Sequence, residues 1–192
     1  MKCLTALTVV LTLFLAACGQ DIETNMSEEV ENFEYTTQDN ETLSLEELKG
    51  NWWIADFVFT NCTTVCLPMT SNMTKLQDKM KEEKLDAQLI SFSVDPEYDT
   101  PEVLTAYAKS YQADLSNWTF LTGYDFQTIK KLSIKSFKSF LEEPQDGTDQ
   151  VIHGTSFFLV NPEGEVIKRY SGAESESIEE IINDLKILQE RS

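Results

Sequence analysis

Hydrophobic and polar positions change period several times along the chain, and each change marks an element. Phe33 to Thr37 and Thr42 to Leu45 flank Gln-Asp-Asn-Glu and read as a hairpin. Ser44 with Glu47 caps a short helical turn that stops at Gly50. Trp52 to Thr60 is nearly all apolar, as expected for a strand covered on both faces. Beyond Pro68, the residues Met69, Met73, Leu76 and Met80 form one stripe of an amphipathic helix reaching about Lys84. Ala87 to Val94 is the next buried strand. Thr100 as N-cap and Pro101 at the first position open a helix running to about Tyr111.

Further along, Trp118 to Leu121 reads as a strand and Asp125 to Phe137 as a helix, followed by an acidic loop with Pro144 and Gly147. His153 to Val160 and Glu165 to Tyr170 are strands joined by a turn at Asn161-Pro162-Glu163-Gly164. Ser177 and Glu180 have the spacing of a capping box for a last helix, with Ile178, Ile181, Ile182, Leu185 and Leu188 as its buried stripe. The alternation predicts an α/β sandwich around a mixed sheet with an N-terminal hairpin.

The N-terminus follows another pattern. Met1-Lys2, an apolar run from Leu4 to Leu15 and Leu15-Ala16-Ala17-Cys18 have the parts of a secretory signal, too short to span a bilayer comfortably. Leu-Ala-Ala-Cys resembles the lipobox of bacterial lipoproteins, which implies cleavage after residue 17 and lipid on Cys18. Two or more acyl chains anchor stably where one is marginal. Residues 18–30 are polar and without period, as in a flexible tether, and residues 31–192 fit one domain. The expected location is the extracytoplasmic face of a bacterial cell membrane.

Composition narrows the function classes. The chain carries 33 acidic and 15 basic residues, a net charge of −18, and losing Lys2 with the signal leaves −19. Such a chain is repelled by nucleic acid, which excludes nucleic-acid binding; the acidity itself serves solubility, and a monomer is expected. Of four cysteines, Cys3 leaves with the signal and Cys18 goes to lipid, so Cys62 and Cys66 stand alone. A bridge between them would close a short loop and restrict the unfolded chain little, so their chemistry is the better reason for their presence.

Both cysteines follow a buried strand and stand at the entry to a helix, where unpaired N–H groups and the helix dipole favour thiolate. On a helix, positions i and i+4 share a face, so both sulfurs could meet one metal or each other, although Pro68 disfavours helix at Leu67. Two soft thiolates suit Cu(I), and an added imidazole allows Cu(II). The one histidine, His153, has no ligand spacing of its own, and a lone histidine is usually incidental.

Three segments change its weight: Phe57-Val-Phe-Thr-Asn-Cys62-Thr-Thr-Val-Cys66-Leu-Pro68, Ser93-Val-Asp95-Pro-Glu-Tyr-Asp99-Thr-Pro101, and His153-Gly-Thr-Ser-Phe-Phe-Leu-Val-Asn-Pro-Glu-Gly. In order and spacing they resemble the Sco/SenC family, over about residues 33–190. The resemblance implies a thioredoxin-like fold, one copper ion held by Cys62, Cys66 and His153, and a nearby Asp95 that affects copper handling or redox behaviour. It also implies a metallochaperone, not an enzyme, whose partner is the cytochrome c oxidase subunit carrying the binuclear copper centre. The chain departs from the family in Thr63, where a proline often follows the first cysteine, and in Leu67 before Pro68, both of which bear on loop geometry.

Other readings compete. A thiol-disulfide oxidoreductase would use the redox-active pair Cys62 and Cys66 through a mixed disulfide, but it has two residues between its cysteines in thioredoxins and no need of His153. A peroxidase wants a cation beside its thiolate, and the only arginines, Arg169 and Arg191, lie far along the chain. Helical spacing makes Met69, Met73 and Met80 core residues instead of a methionine copper box. Lys131, Lys135 and Lys138 read as a solvated helix face.

Overall fold

The structure, a computed structural model, describes residues 21–61, 66–145 and 147–190, without the side chains of Cys66 and Leu67. In chain order the elements are β1 (Glu28–Glu29), β2 (Glu34–Thr37), β3 (Thr42–Ser44), α1 (Leu45–Leu48), β4 (Trp53–Val58), α2 (Cys66–Glu83), β5 (Gln88–Ser93) and α3 (Pro101–Ser110). They continue as β6 (Trp118–Thr122), α4 (Phe126–Phe137), β7 (Leu141–Glu142), β8 (Ile152–His153), β9 (Ser156–Val160), β10 (Glu165–Ser171) and α5 (Glu176–Gln189). Eight strands form one mixed sheet in the order β1-β10-β9-β4-β5-β6-β2-β3, and β7 and β8 pair apart as a ribbon.

Strand β4 lies at the middle of the sheet and is buried along its whole length. Because side chains alternate, Trp53, Ala55 and Phe57 enter one core and Ile54 and Val58 the other. The first core is aromatic: Phe137 of α4 packs against the rings of Trp53, Phe57, Phe92 and Phe158. The second takes Met69, Met73, Leu76 and Met80 of α2, none more than 1% exposed, so the methionine stripe is core as its spacing predicts.

Strands β4, β5 and β6 are parallel, while β9 runs antiparallel to β4. The carboxyl ends of β4 and β5 therefore meet the start of β9 at one edge, the place where open α/β sheets gather ligands. Helix α3 begins as expected, with the Thr100 hydroxyl accepting from the Val103 amide at 3.4 Å.

Four local expectations change. Helix α2 begins at Cys66 and passes through Leu67 and Pro68. A proline in the first turn loses only an N–H that has no intrahelical partner there, so the helix tolerates it. The strand expected from His153 to Val160 is broken: His153 belongs to the ribbon and β9 starts at Ser156. The break falls where the chain crosses Ser139 closely; a side chain on Gly154 would strike the Ser139 hydroxyl, and the Gly154 amide donates to the Phe140 carbonyl at 3.2 Å. In α5, Ser175 holds the N-cap position, Ser177 lies inside the helix, and the expected capping box gives way to an earlier start.

The fourth change is at the N-terminal segment. Within the stretch expected to be a tether through residue 30, the chain is already bound at Asn25. Asn25 and Met26 donate their amides to the Ile167 carbonyl, β1 pairs with β10, and the Glu31 amide donates to the Ser136 hydroxyl at 2.9 Å. Lys131 and Lys135 both pair with Glu31, and Lys138 with Glu28. The lysine row of α4 thus fastens the chain's own N-terminal segment, a role that local periodicity does not encode. Cys18 and the signal segment lie outside the described residues, and among the described residues no helix is long and apolar enough to cross a membrane.

Candidate metal centre

The chain leaves β4 through Phe59, Thr60 and Asn61 before the first cysteine. Cys62 lies outside the described residues, and Cys66 is the first residue of α2. At that position unpaired amides and the positive end of the helix favour a thiolate.

Two polar clamps hold the approach to Cys62. Asp99, fully buried, accepts from the Thr60 hydroxyl at 2.6 Å, from the Thr60 amide at 3.3 Å and from the Ser93 hydroxyl at 2.6 Å. Burial pushes its carboxyl above the usual range, and these donors pull it back. On the other side, the Asn61 amide group donates to Asp149 at 2.7 Å and the Gln150 side chain donates to the Asn61 carbonyl at 3.1 Å.

His153 stands on the inner face of the ribbon, 6% exposed. It pairs across the ribbon with Leu141, and its ring meets Phe59 edge to face at 5.7 Å. Nδ1 lies 2.9 Å from the Gly154 carbonyl oxygen. A carbonyl can only accept, so Nδ1 carries the proton and Nε2 holds the lone pair of the neutral ring. That is the arrangement by which a backbone carbonyl orients a metal-ligating histidine.

Asp95 lies just beyond β5, where its amide donates to the Ser93 hydroxyl at 3.1 Å and its carbonyl accepts from the Tyr98 and Asp99 amides. Partial burial raises its pKa, and the charges of Glu97 and Asp149 raise it further, against a lowering bond from the Tyr98 amide. It borders a hollow of about 300 Å³ lined also by Val94, Glu97, Phe126, Pro144 and Val151. Asp95 thus shares a carboxylate-rich rim with the loop that leads to His153.

One further acid escaped the sequence reading. Asp56, fully buried in β4, accepts from the Ser91 hydroxyl at 2.6 Å, and Ser91 in turn accepts from the Trp118 indole at 2.9 Å. The second oxygen of Asp56 has no hydrogen-bond partner among the described residues. Burial pushes Asp56 up to about 7, against the lowering bond from the Ser91 hydroxyl. Its signal in the sequence is one carboxylate in an otherwise apolar run.

Among the described residues, no three His, Cys, Asp or Glu side chains gather as a metal cage. Two thiolates and an imidazole are a donor set suited to Cu(I) and able to hold Cu(II).

A mixed sheet flanked by helices, with a helix N-terminus carrying a cysteine beside the end of a central strand, defines a protein of thioredoxin-like fold. The SCO1/SenC family model matches residues 22–190, and the chain belongs to that family. It is 49% identical over 188 residues to the SCO1 protein homolog of Bacillus subtilis, covering 97% of each chain. The structure of BsSco, described as a member of the Sco family of cytochrome c oxidase assembly proteins with a disulfide switch, matches at a TM-score of 0.80 and 49% identity, over 88% of this chain and 97% of that one. A SCO1/SenC family lipoprotein of Bacillus anthracis matches at 0.79 and 50% identity, over 83% and 94%. The ScoI protein of Arabidopsis thaliana, solved with copper bound, matches at 0.70 and 25% identity, over 83% and 98%.

Proposed function

We propose that this protein is a lipid-anchored copper-binding protein, tethered through Cys18 at the extracytoplasmic face of the cell membrane, that serves assembly of the binuclear copper centre of cytochrome c oxidase. Cys62, Cys66 and His153 hold the copper, and Asp95 tunes copper handling from the neighbouring loop. The observation that carries this reading is His153 itself: a buried imidazole, its Nδ1 fixed by a backbone carbonyl, on an arm bonded to the residue that precedes Cys62. Copper-bound and oxidase-assembly relatives support the metal and the target, and the lipobox resemblance and the lipoprotein relative support the anchor.

The residues divide the work. The start of α2 favours the thiolate form at Cys66, which a soft metal requires. The Gly154 carbonyl fixes the tautomer of His153. The same pair, when reduced, can donate two electrons to a target disulfide: one thiolate attacks a target sulfur, the second displaces the mixed disulfide, and the chain is left as a Cys62–Cys66 disulfide while the target leaves as a dithiol. Thiol reduction without metal transfer is the second reading, favoured by the disulfide switch described for the Bacillus relative.

Adding Cu(II) to the reduced mature protein should produce thiolate-to-copper charge-transfer absorption that His153→Ala alters strongly. Absence of the band, or a band indifferent to that substitution, would defeat the three-ligand site. In cells lacking the protein, oxidase activity should fall and recover with added copper; recovery with an added thiol reductant alone would favour the second reading.

A further inference from the structure

Phe59 to Asn61 and Thr148 to His153 approach each other although 88 positions separate Asn61 from Asp149. Their contact is specific and polar. Asn61 donates its side-chain amide to one Asp149 oxygen at 2.7 Å, Gln150 donates to the other at 2.9 Å, and the same Gln150 nitrogen donates to the Asn61 carbonyl at 3.1 Å. The three residues form a ring of bonds that closes through the Asn61 backbone carbonyl, with Asn61 one residue before Cys62 and Gln150 three before His153.

The two sides of this ring are supported very differently. Thr60 is tied down by the buried Asp99, whereas the His153 side is a ribbon of only two residue pairs. Across the gap His153 meets Phe59 edge to face; the ring adds a polar constraint to that contact, because Asn61 is fixed to the β4 side and Asp149 and Gln150 belong to the arm.

We propose that Asn61, Asp149 and Gln150 are a latch that holds the histidine arm against the end of the β4 segment, at the residue before Cys62, and that Asn61 and Asp149 are positioning residues for the metal centre. The inference rests on the three-ligand reading above. Partners outside the ligand set that orient a metal site typically alter affinity by about 10- to 100-fold when removed. The latch acts by placing His153 relative to the thiols, so its effect belongs to binding that uses the imidazole.

The test is Cu(II) titration of the reduced mature protein in detergent, read by affinity and by the charge-transfer spectrum. Asn61→Ala and Asp149→Ala should each weaken binding about tenfold and shift the spectrum, with secondary structure and urea midpoint near wild type. Asp149→Asn, which keeps one accepting oxygen and turns the other into a donor, can hold only one of the two bonds and should fall between wild type and Asp149→Ala. In a His153→Ala background, Asn61→Ala should cost nothing further, since two residues that act through one interaction are non-additive. Unchanged affinity and spectrum in Asn61→Ala, or the same loss with and without His153, would overturn the latch while leaving the three-ligand site intact. A wild-type spectrum indifferent to His153→Ala would overturn both.

Discussion

The two sides of the candidate centre are built to different standards. The cysteine side grows from a strand buried along its whole length, is backed by four core residues of α2, and is pinned at Thr60 by a buried carboxylate with three donors. The histidine side is a short ribbon whose inner face carries Leu141 and His153 and whose outer face shows Ile152 to solvent, 41% exposed, with Phe140 just before the ribbon 53% exposed. The difference teaches that the approach to the cysteines is anchored in the core, at Thr60 and along β4, whereas the approach to the imidazole is a short surface ribbon. Chemistry that needs the imidazole depends on where the arm rests.

The strongest challenge to that contrast is the floor beneath both sides. Phe137 touches four aromatic rings in the core, so Phe137→Ala should cost about 3–5 kcal/mol in urea unfolding and loosen both sides together. A loss below about 1 kcal/mol would show that the floor is not shared. Next comes Asp99→Ala, which strands the Thr60 amide, the Thr60 hydroxyl and the Ser93 hydroxyl. A cost of about 1–3 kcal/mol is expected, along with faster alkylation of Cys62. If alkylation is unchanged, Asp99 supports the core only.

A third effect depends on pH. Asp56 is held near 7 in the folded protein against 3.8 as its ordinary value. Between those values the folded state keeps a proton that the unfolded chain has lost, so stability from this group is full below about pH 4, falls as pH rises, and is gone above about 7. Wild type should therefore lose stability relative to Asp56→Asn across that window and run parallel to it above. Parallel curves throughout would show that Asp56 ionises normally. The smallest effects belong to the surface: Ile152→Ser should move stability by no more than about 0.5 kcal/mol, and Lys131→Ala, which leaves Glu31 its second partner Lys135, by a similar amount.

These contrasts were partly legible in the sequence. Strand β4 and helix α2 show themselves by an unbroken apolar run and a helical stripe, and the turn at Gly164 by its residues, because in each case neighbours along the chain determine the outcome. Strands β1, β7 and β8 have two residues each and exist only through partners far away, so no local period could announce them. The same holds at the centre. Motif order pointed to His153, but its inward position depends on the close pass at Gly154, and Asn61 gains its meaning only when Asp149 arrives beside it. Asp56 stood in plain view as the one acid of a run read as covered on both faces, yet nothing in the sequence gives its bond to Ser91 or its raised pKa.

The docking of Asn25 has a practical consequence for handling the protein in solution. Its side chain donates to the Arg169 carbonyl at 3.0 Å and accepts from the Arg169 amide at 2.8 Å, so a single asparagine imitates a strand partner where β1 has not yet begun. Strand β10 would otherwise be an open edge, ready to pair with the same edge of another molecule. A shortened version that begins at Glu31 would bare that edge and should self-associate; one that begins at Asp21 keeps the cover in place. Whether the chain is shortened before Asn25 or after it thus decides whether the protein stays monodisperse.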